Sequence, residues 1–423
     1  MPLRQEIVIT GLGLVCPLGI GSSEVWPALE AGKSGVRTLS RLEPEGLPMK
    51  IGGELPDFNP KPYLPNRKVL KLMSRDIQLA VASAALAYED GKLDDSSVAP
   101  ERIGVSFGAH TMMSDLADLE QVYQKCVQDG KFQFSEWGEG AMGSVFPLWM
   151  LKYLPNMPAC HIAIYRDARG PNNSIIQNEI SSLLAFNEAI RVIERDRADV
   201  MITGGTGVKI HYIYSNSWHR YESYSKQTEH PEQACRPFDQ DRDGQVAGEG
   251  SACFLLETKA HAKDRGIPIL AEVLGYGVGT EHVPHGKKAT GKAIQLAIQN
   301  ALKEADLSPE QIDYVNAHGL STVVEDELEA RAIQSVLGDT PITAFKSYFG
   351  NASAGSGALE LAISLLALQK GKIPPTLNYE TPDPACPVNV ISGEFLEVKN
   401  PICLKLSFTQ AGQAVALIVG ARD

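Results

Sequence analysis

The sequence predicts an α/β fold, because short β-branched runs alternate with longer segments of helical periodicity along the whole chain. Its 423 residues, 43% hydrophobic and 21% charged, suffice to bury a large core in one big domain or two closely packed halves. In the segments 74–91 and 291–306 apolar residues recur at intervals of three and four, which is typical of one helix face. The predicted strands cover residues 6–11, 102–108, 199–205, 251–257, 269–277, 314–319, 403–408 and 415–420.

Two similar halves are predicted, with Gly266 and Pro268 marking the join. The N-terminal half covers residues 1–257 and the C-terminal half covers residues 268–423. Within the first half, the segment 124–165 combines Trp and Tyr residues with several Gly and Pro. We therefore expect an irregular cap there that covers a partner or a pocket.

Composition and charge exclude several classes of function. A net charge of −12 disfavours a sequence-independent grip on nucleic acid, which depends on an excess of Lys and Arg. No window approaches the eighteen or so apolar residues of a membrane span, and the N-terminus lacks a signal pattern, so a cytoplasmic location is expected. The seven cysteines show no zinc-type spacing, and their odd number argues against a complete disulfide framework.

No cofactor or metal is expected from the glycine-rich motifs either. GLGLVCPLG at 11–19 has Cys16 where the dinucleotide-binding pattern needs its third glycine. GNASAGSG at 350–357 is not followed by Lys-Ser/Thr, so a phosphate loop is disfavoured and a helix that starts with closely packed small residues is predicted instead.

Taken together, six segments resemble the β-ketoacyl-acyl carrier protein synthases of the elongating type, which are members of the thiolase superfamily. The resemblance spans essentially the whole chain and implies a thiolase-like fold, in which two similar βαβ-type halves form a five-layered α/β sandwich. The segments are VITGLGLVCPLG (8–19), the Gly-Pro with a strand-to-helix turn at 170–182, ADVMITGGT (198–206), RPFDQDRDGQVAGEGSACFLLE (236–257), YVNAHGLSTVVEDELEA (314–330) and FKSYFGNASAGSGALE (345–360).

The resemblance also implies an active site with one cysteine at the N-terminus of a buried helix and two histidines. Counting from the Gly-Pro at 170–171 places Glu179 at the cysteine position. An acyl-Glu intermediate would be an anhydride, more reactive than the thioester it came from, so condensation by this chain alone is not expected. His318 matches the first histidine, whereas Asn351 stands at the second, after a retained Lys346 and before a retained Glu360.

The resemblance places the acyl tunnel beside these residues, and here too the sequence departs from the family. Gln410 corresponds to the gating phenylalanine of the C-terminal glycine-rich turn, while Phe408 keeps the pattern. Leu320 replaces the threonine that would touch the pantetheine arm. We therefore expect an altered pocket in which Glu179 and Asn351 have replaced the catalytic groups.

Three functional hypotheses follow. The first is a non-condensing subunit of the chain-length-factor type, although members of that group usually carry Gln where this chain has Glu179. The second is a repurposed acyl-thioester enzyme, a decarboxylase, hydrolase or lyase, that uses Glu179, His318 and Asn351. The third is a purely structural paralogue, in which Glu179 is retained because a helix N-terminus favours a carboxylate and His318 is a hydrogen-bonded core residue.

The expected partners also come from the resemblance. It implies a heterodimer with a cysteine-bearing ketosynthase, with a homodimer as the alternative, and a dimer contact through the strand that ends in DVMITGG (199–205). Arg67, Lys68 and Lys71 lie where the family docks the acyl carrier protein. A local basic cluster in an acidic chain would steer such an acidic partner, and the alternative is an ordinary solvated helix face.

Overall fold

The computed structural model describes residues 5–42, 46–93, 98–285 and 287–420. None of the helices in these ranges is long and apolar enough to span a membrane. The strands, β1 to β18 in chain order, are Ile7–Cys16, Gly19–Ile20, Val36–Thr38, Ile51–Gly53, Ile103–Ala109, Val127–Gln128, Lys131–Phe132, Asn172–Ile176, Val200–Val208, Glu249–Thr258, Ala271–Thr280, Tyr314–Asn316, Pro341–Thr343, Lys372–Ile373, Asn389–Val390, Leu396–Glu397, Ile402–Thr409 and Gln413–Gly420. The α-helices, α1 to α11, are Ser22–Glu30, Arg75–Asp90, Leu116–Lys125, Met157–Tyr165, Ser181–Glu194, Tyr212–Ser217, Lys259–Asp264, Lys292–Ala305, Val323–Leu337, Lys346–Phe349 and Ser356–Lys370.

The two halves of the chain repeat one sheet topology. In the first half, β1, β10 and β9 pair antiparallel, and β5 and β8 then add in parallel. In the second half, β11, β18 and β17 pair antiparallel, and β12 and β13 then add in parallel. A short pairing of residues 7–9 with 271–273 joins the halves. The prediction of two similar α/β halves is confirmed by this topology.

Five layers result, because two helices lie between the two halves of the main sheet and others cover its outer faces. The central layer contains α5, packed on β5 and β9, and α11, packed on β10 and β17. Helix α2 covers β1 and β10 on one outer face, and α8 covers β11 and β18 on the other. A Cβ atom at Gly108 would lie 2.4 Å from the Ser182 backbone nitrogen, so only glycine lets the start of α5 sit this close to the sheet.

One sequence-based expectation about the sheet is wrong. The strand predicted to make the dimer contact, observed as β9, is hydrogen-bonded to β10 on one edge and β5 on the other. A strand that is paired on both edges has no backbone groups left for a partner's strand. Within the described residues, β8 is the outermost strand of this half and has an open edge.

The predicted irregular cap at 124–165 is irregular only in part. Its last nine residues form the regular helix α4, which packs against α2 and β5. Pro158 is compatible with this helix because it lies in the first turn, where no intrahelical hydrogen bond is lost. The helix predicted to begin with small residues at 350–357 is confirmed as α11, preceded by a short 3₁₀ turn.

Candidate functional site

Three polar residues that follow buried strands face one cavity. His110 comes directly after β5 and Lys209 directly after β9, while His318 lies two residues beyond β12. Because β5, β8 and β9 are parallel, their carboxyl ends lie at one edge of the sheet, where ligand sites of α/β folds usually form. The cavity has a volume of about 240 Å³, and both halves of the chain contribute to its lining.

Glu179 lines this cavity just before α5. It belongs to a short 3₁₀ turn, Asn178–Ile180, that leads into the helix. Asn178 adopts left-handed backbone with a φ of 49°, which Asn tolerates better than most residues, and its carbonyl accepts a hydrogen bond from Ser181 Oγ (2.7 Å). A helix N-terminus stabilises a negative charge by roughly 0.3–1 kcal/mol, so the carboxylate is favourable at this position without any catalytic role.

Lys209 supplies a buried cation that the sequence analysis did not identify. Its ammonium lies 2.8 Å from Glu222 Oε2 and 3.9 Å from Glu179 Oε1, and its side chain is only 4% exposed. The same Glu222 oxygen accepts hydrogen bonds from Tyr224 (2.7 Å) and Gln245 (2.9 Å). The signal that could have identified Lys209 is its place directly after a buried parallel strand.

A buried charge cluster fixes the orientation of His318. Lys346 Nζ lies 3.1 Å from His318 Nδ1 and donates to the His318 carbonyl at 2.6 Å. Lys346 also pairs with Glu360 (2.6 Å), and Lys405 contacts the second oxygen of that carboxylate. Burial and the charges of Lys346 and Lys405 hold the pKa of His318 well below its usual range, so the ring is neutral. Since an ammonium only donates, Nδ1 accepts and the ring proton resides on Nε2.

Leu320, Phe408 and Gln410 line the same cavity. The Phe408 ring packs against His318 with their centroids 4.8 Å apart. Gln410 donates through Nε2 to Glu325, which also lines the cavity, at 2.8 Å. These three residues, predicted to lie beside one pocket, do line it, and their part in any tunnel stays a prediction.

Asn351 lies outside the described lining of the cavity. Its amide donates to Gln245 Oε1 (2.8 Å), and its oxygen accepts hydrogen bonds from the Ser353 backbone nitrogen (2.9 Å) and from Ser356 Oγ (3.0 Å). Gln245 in turn contacts Glu222, so Asn351 reaches the charged cluster only through an intermediate residue. Lys346 and Glu360 also lie behind the lining, and the catalytic roles predicted for all three residues stay predictions.

A second buried network reaches the cavity through His110. His110 Nε2 lies 2.8 Å from Asp76 Oδ1, and Nδ1 lies 2.8 Å from the Tyr214 hydroxyl, which donates to the Thr111 carbonyl at 2.6 Å. Burial, reinforced by the charge of Asp76, raises the pKa of Tyr214, so its hydroxyl stays protonated. Sequence reasoning missed this network, because Asp76 lies on α2 and only the tertiary structure brings it to His110.

The predicted carrier-docking residues lie on the surface. Arg67, Lys68 and Lys71 are exposed on the 3₁₀ turn Arg67–Leu72, which starts with a hydrogen bond from the Lys68 backbone to the Asn66 side chain (3.0 Å). The Lys71 ammonium lies 5.6 Å from the centre of the Phe146 ring, so this turn contacts the 124–165 segment. The geometry leaves the three cations available to solvent.

Comparison with known proteins identifies one family over most of the chain. Residues 4–262 match the N-terminal domain of β-ketoacyl synthases, and residues 270–380 match the C-terminal domain. A 3-oxoacyl-[acyl-carrier-protein] synthase 2 of Coxiella burnetii is 34% identical over 421 residues, covering 98% of both chains. The tetracenomycin polyketide synthase ketoacyl synthase alpha subunit of Streptomyces glaucescens is 34% identical over 394 residues, covering 92% of this chain and 90% of that protein.

Solved structures show the same similarity. The ishigamide ketosynthase/chain length factor superposes with a TM-score of 0.86 at 28% identity, covering 99% of this chain and all of that chain. A type II PKS acyl-carrier protein in complex with its ketosynthase bound to the hexaketide contains a chain that superposes at 0.83 with 29% identity, each chain being covered fully. The thiolase-like fold expected from the sequence is thereby confirmed.

Proposed function

Because the chain belongs to the β-ketoacyl synthase family, we propose that it is a non-condensing subunit of the chain-length-factor type. In this role it pairs with a cysteine-bearing ketosynthase and shapes the growth of an acyl or polyketide chain on an acyl carrier protein. The observation that carries the proposal is the placement of Glu179 before α5, facing the cavity and close to Lys209. No described residue that lines the cavity is a cysteine.

The chemistry of the cavity supports loss of condensation. Condensation needs a thiolate that carries the acyl chain, and a carboxylate cannot replace it because the product would be an anhydride. The described lining contains three carboxylates and one ammonium, from Glu179, Glu222, Glu325 and Lys209. A growing apolar chain would desolvate these charges at a cost of several kcal/mol, so a chain that elongates is better accommodated in the partner's site or between the subunits.

The surface supports the proposed partners. The open edge of β8 offers unpaired backbone groups to a second subunit. Among similar solved structures, one is described as a ketosynthase/chain length factor and another holds an acyl-carrier protein with its ketosynthase. This proposal includes the heterodimer, the carrier contact and a cytoplasmic location. The alternatives are a homodimer and a purely structural paralogue, and the next two experiments test them.

Co-expression with a cysteine-bearing ketosynthase from the same genome tests the pairing. We expect the two chains to co-purify in equal amounts, and we expect elongated product to form from the pair but not from the ketosynthase alone. The measurement is size-exclusion chromatography followed by mass analysis of carrier-bound products. If the chain instead purifies alone as a stable homodimer while the ketosynthase is fully active without it, the subunit proposal is wrong.

Charge reversal tests the carrier contact. The double substitution Arg67→Glu and Lys71→Glu should raise the Kd for the acyl carrier protein on the order of tenfold, mainly by slowing association, because two steering cations become repulsive. Biosensor kinetics at low and high salt measure the association rate and the Kd. The difference in Kd between the wild type and the double variant should shrink as salt increases. Lys263→Glu with Lys303→Glu is the matched control, since both residues are exposed on other helices. Equal weakening by both double variants would remove the proposed docking surface.

A further inference from the structure

Two cavity-facing groups lack hydrogen-bond partners within the described part of the chain. The Glu179 carboxylate accepts no hydrogen bond there, and its ion contact within those residues is with Lys209 at 3.9 Å, which is beyond hydrogen-bond distance. His318 is 98% buried, and its Nε2–H has no acceptor among the described residues. Both groups line the cavity, which therefore offers one proton acceptor and one donor to a bound molecule.

We propose that this cavity hydrolyses short, uncharged acyl thioesters, with Glu179 as general base and His318 Nε2–H as the donor to the carbonyl oxygen. A water oxygen attacks the thioester carbonyl carbon while Glu179 takes a proton from that water. His318 stabilises the oxyanion that forms. Collapse of the intermediate breaks the carbon–sulfur bond, and the proton passes from Glu179 to the leaving thiolate, which yields a free acid and a thiol. The thioester is supplied by the proposed carrier contact, but the step does not depend on pairing with a ketosynthase.

The surroundings of these two groups support the assignment. Lys346 holds the proton of His318 on Nε2, and the depressed pKa of His318 keeps the ring neutral, so the donor persists throughout the neutral pH range. Lys209 is a positioning residue, because its ion pair with Glu222 anchors an ammonium beside Glu179. Glu179 thus stays near a fixed cation, while its oxygen lone pairs remain available to accept a proton from a bound molecule.

The charge and volume of the cavity restrict the acyl group. Three carboxylates and one ammonium give the described lining a formal charge of −2 with neutral histidines, and Glu222 already engages the ammonium. A malonyl group would add another carboxylate to this field, so it is disfavoured relative to an acetyl group. About 240 Å³ accommodates a short acyl group, whereas a long apolar chain would remove water from the charged side chains.

The test uses the full chain and acyl carrier protein loaded with an acetyl or a malonyl group. Intact-protein mass spectrometry should show conversion of the acetyl form to the free-thiol form, with one ¹⁸O atom entering the released acid from labelled water. Malonyl release should be slower. Glu179→Gln should reduce acetyl release by about 10²–10⁴-fold, as loss of a general base does. Glu30→Gln, at an exposed position on α1, should release acetate at the wild-type rate.

The experiment distinguishes failure of the hydrolytic site from failure of the subunit proposal. The assay is run with and without the ketosynthase, and the melting curves of both variants are compared with the wild type to show that they are folded. Acetyl release no faster than in buffer, or undiminished in folded Glu179→Gln, overturns the hydrolytic site. Malonyl release as fast as acetyl release overturns the charge argument. Hydrolysis without co-purification of a ketosynthase would leave this inference standing while the subunit proposal falls.

Discussion

Replacing Lys346 with Met should lower the free energy of unfolding by about 3–5 kcal/mol, because three buried acceptors lose their donor at roughly 1–3 kcal/mol each, even though Lys405 still pairs with Glu360. Lys346, Glu360 and Lys405 are all at most 1% exposed, and Lys346 pairs with Glu360 at 2.6 Å. The three acceptors are Glu360 Oε1, His318 Nδ1 and the His318 carbonyl oxygen. Equilibrium urea denaturation at neutral pH measures the change, and the slope of the transition shows whether the folded state remains compact.

The matched control for this prediction is Lys370→Met. Lys370 is the last residue of α11, the helix that carries Glu360, and it is exposed. Its replacement should leave the free energy of unfolding within experimental error of the wild type. If Lys346→Met is no more destabilising than Lys370→Met, the buried cluster does not stabilise the fold in the way that its geometry indicates.

The substitution Glu179→Cys should create the most reactive thiol in the chain. A thiol at a helix N-terminus and near an ammonium has a lowered pKa, so a larger fraction is thiolate at neutral pH. The native background is low, because burial raises the pKa of Cys16 and of Cys386 to about 12. We expect alkylation of the new thiol on the order of tenfold faster than that of Cys160, a native cysteine that is not fully buried.

Timed iodoacetamide labelling followed by peptide mass spectrometry measures these rates. The same variant should accept an acyl group without condensing it with a malonyl unit, because the sequence resemblance predicts that Asn351 and Gln410 stand in place of the family's second histidine and gating phenylalanine. Labelling no faster than at Cys160 would show that the start of α5 does not activate a thiol in this chain. Restored condensation would show that the residue at position 179 alone accounts for the proposed loss of condensation.

Periodicity and β-branched runs were sufficient to predict most of the main sheet. The predicted strand 251–257 became Glu249–Thr258, but the predicted strand 314–319 ended at Asn316. Beyond that point the backbone nitrogens of His318 and Gly319 donate to the Glu329 carboxylate rather than to a neighbouring strand. Local pattern cannot reveal this, because the competing acceptor lies ten or eleven residues further along, on α9.

The candidate site was predictable where motif spacing fixes position and unpredictable where tertiary contacts create it. Counting from the Gly-Pro placed Glu179 before the buried helix, where the structure has it. Lys209 was missed because no motif marks it, and its importance arises from Glu222, a residue in a separate segment. Asn351 illustrates the reverse, since motif spacing predicts a place in the site while the residue, hydrogen-bonded to Gln245 and Ser356, is not among the described residues that line the cavity.

Under the proposed pairing, the open edge of β8 makes the lifetime of this chain depend on the amount of its partner. An unpaired strand edge such as that of β8 is a template for non-specific association with other chains. A partner protein that binds only the folded chain stabilises the folded state by mass action. Molecules synthesised in excess of the partner are therefore the ones most exposed to aggregation and proteolysis. Balanced synthesis of the two proposed subunits would keep that excess small.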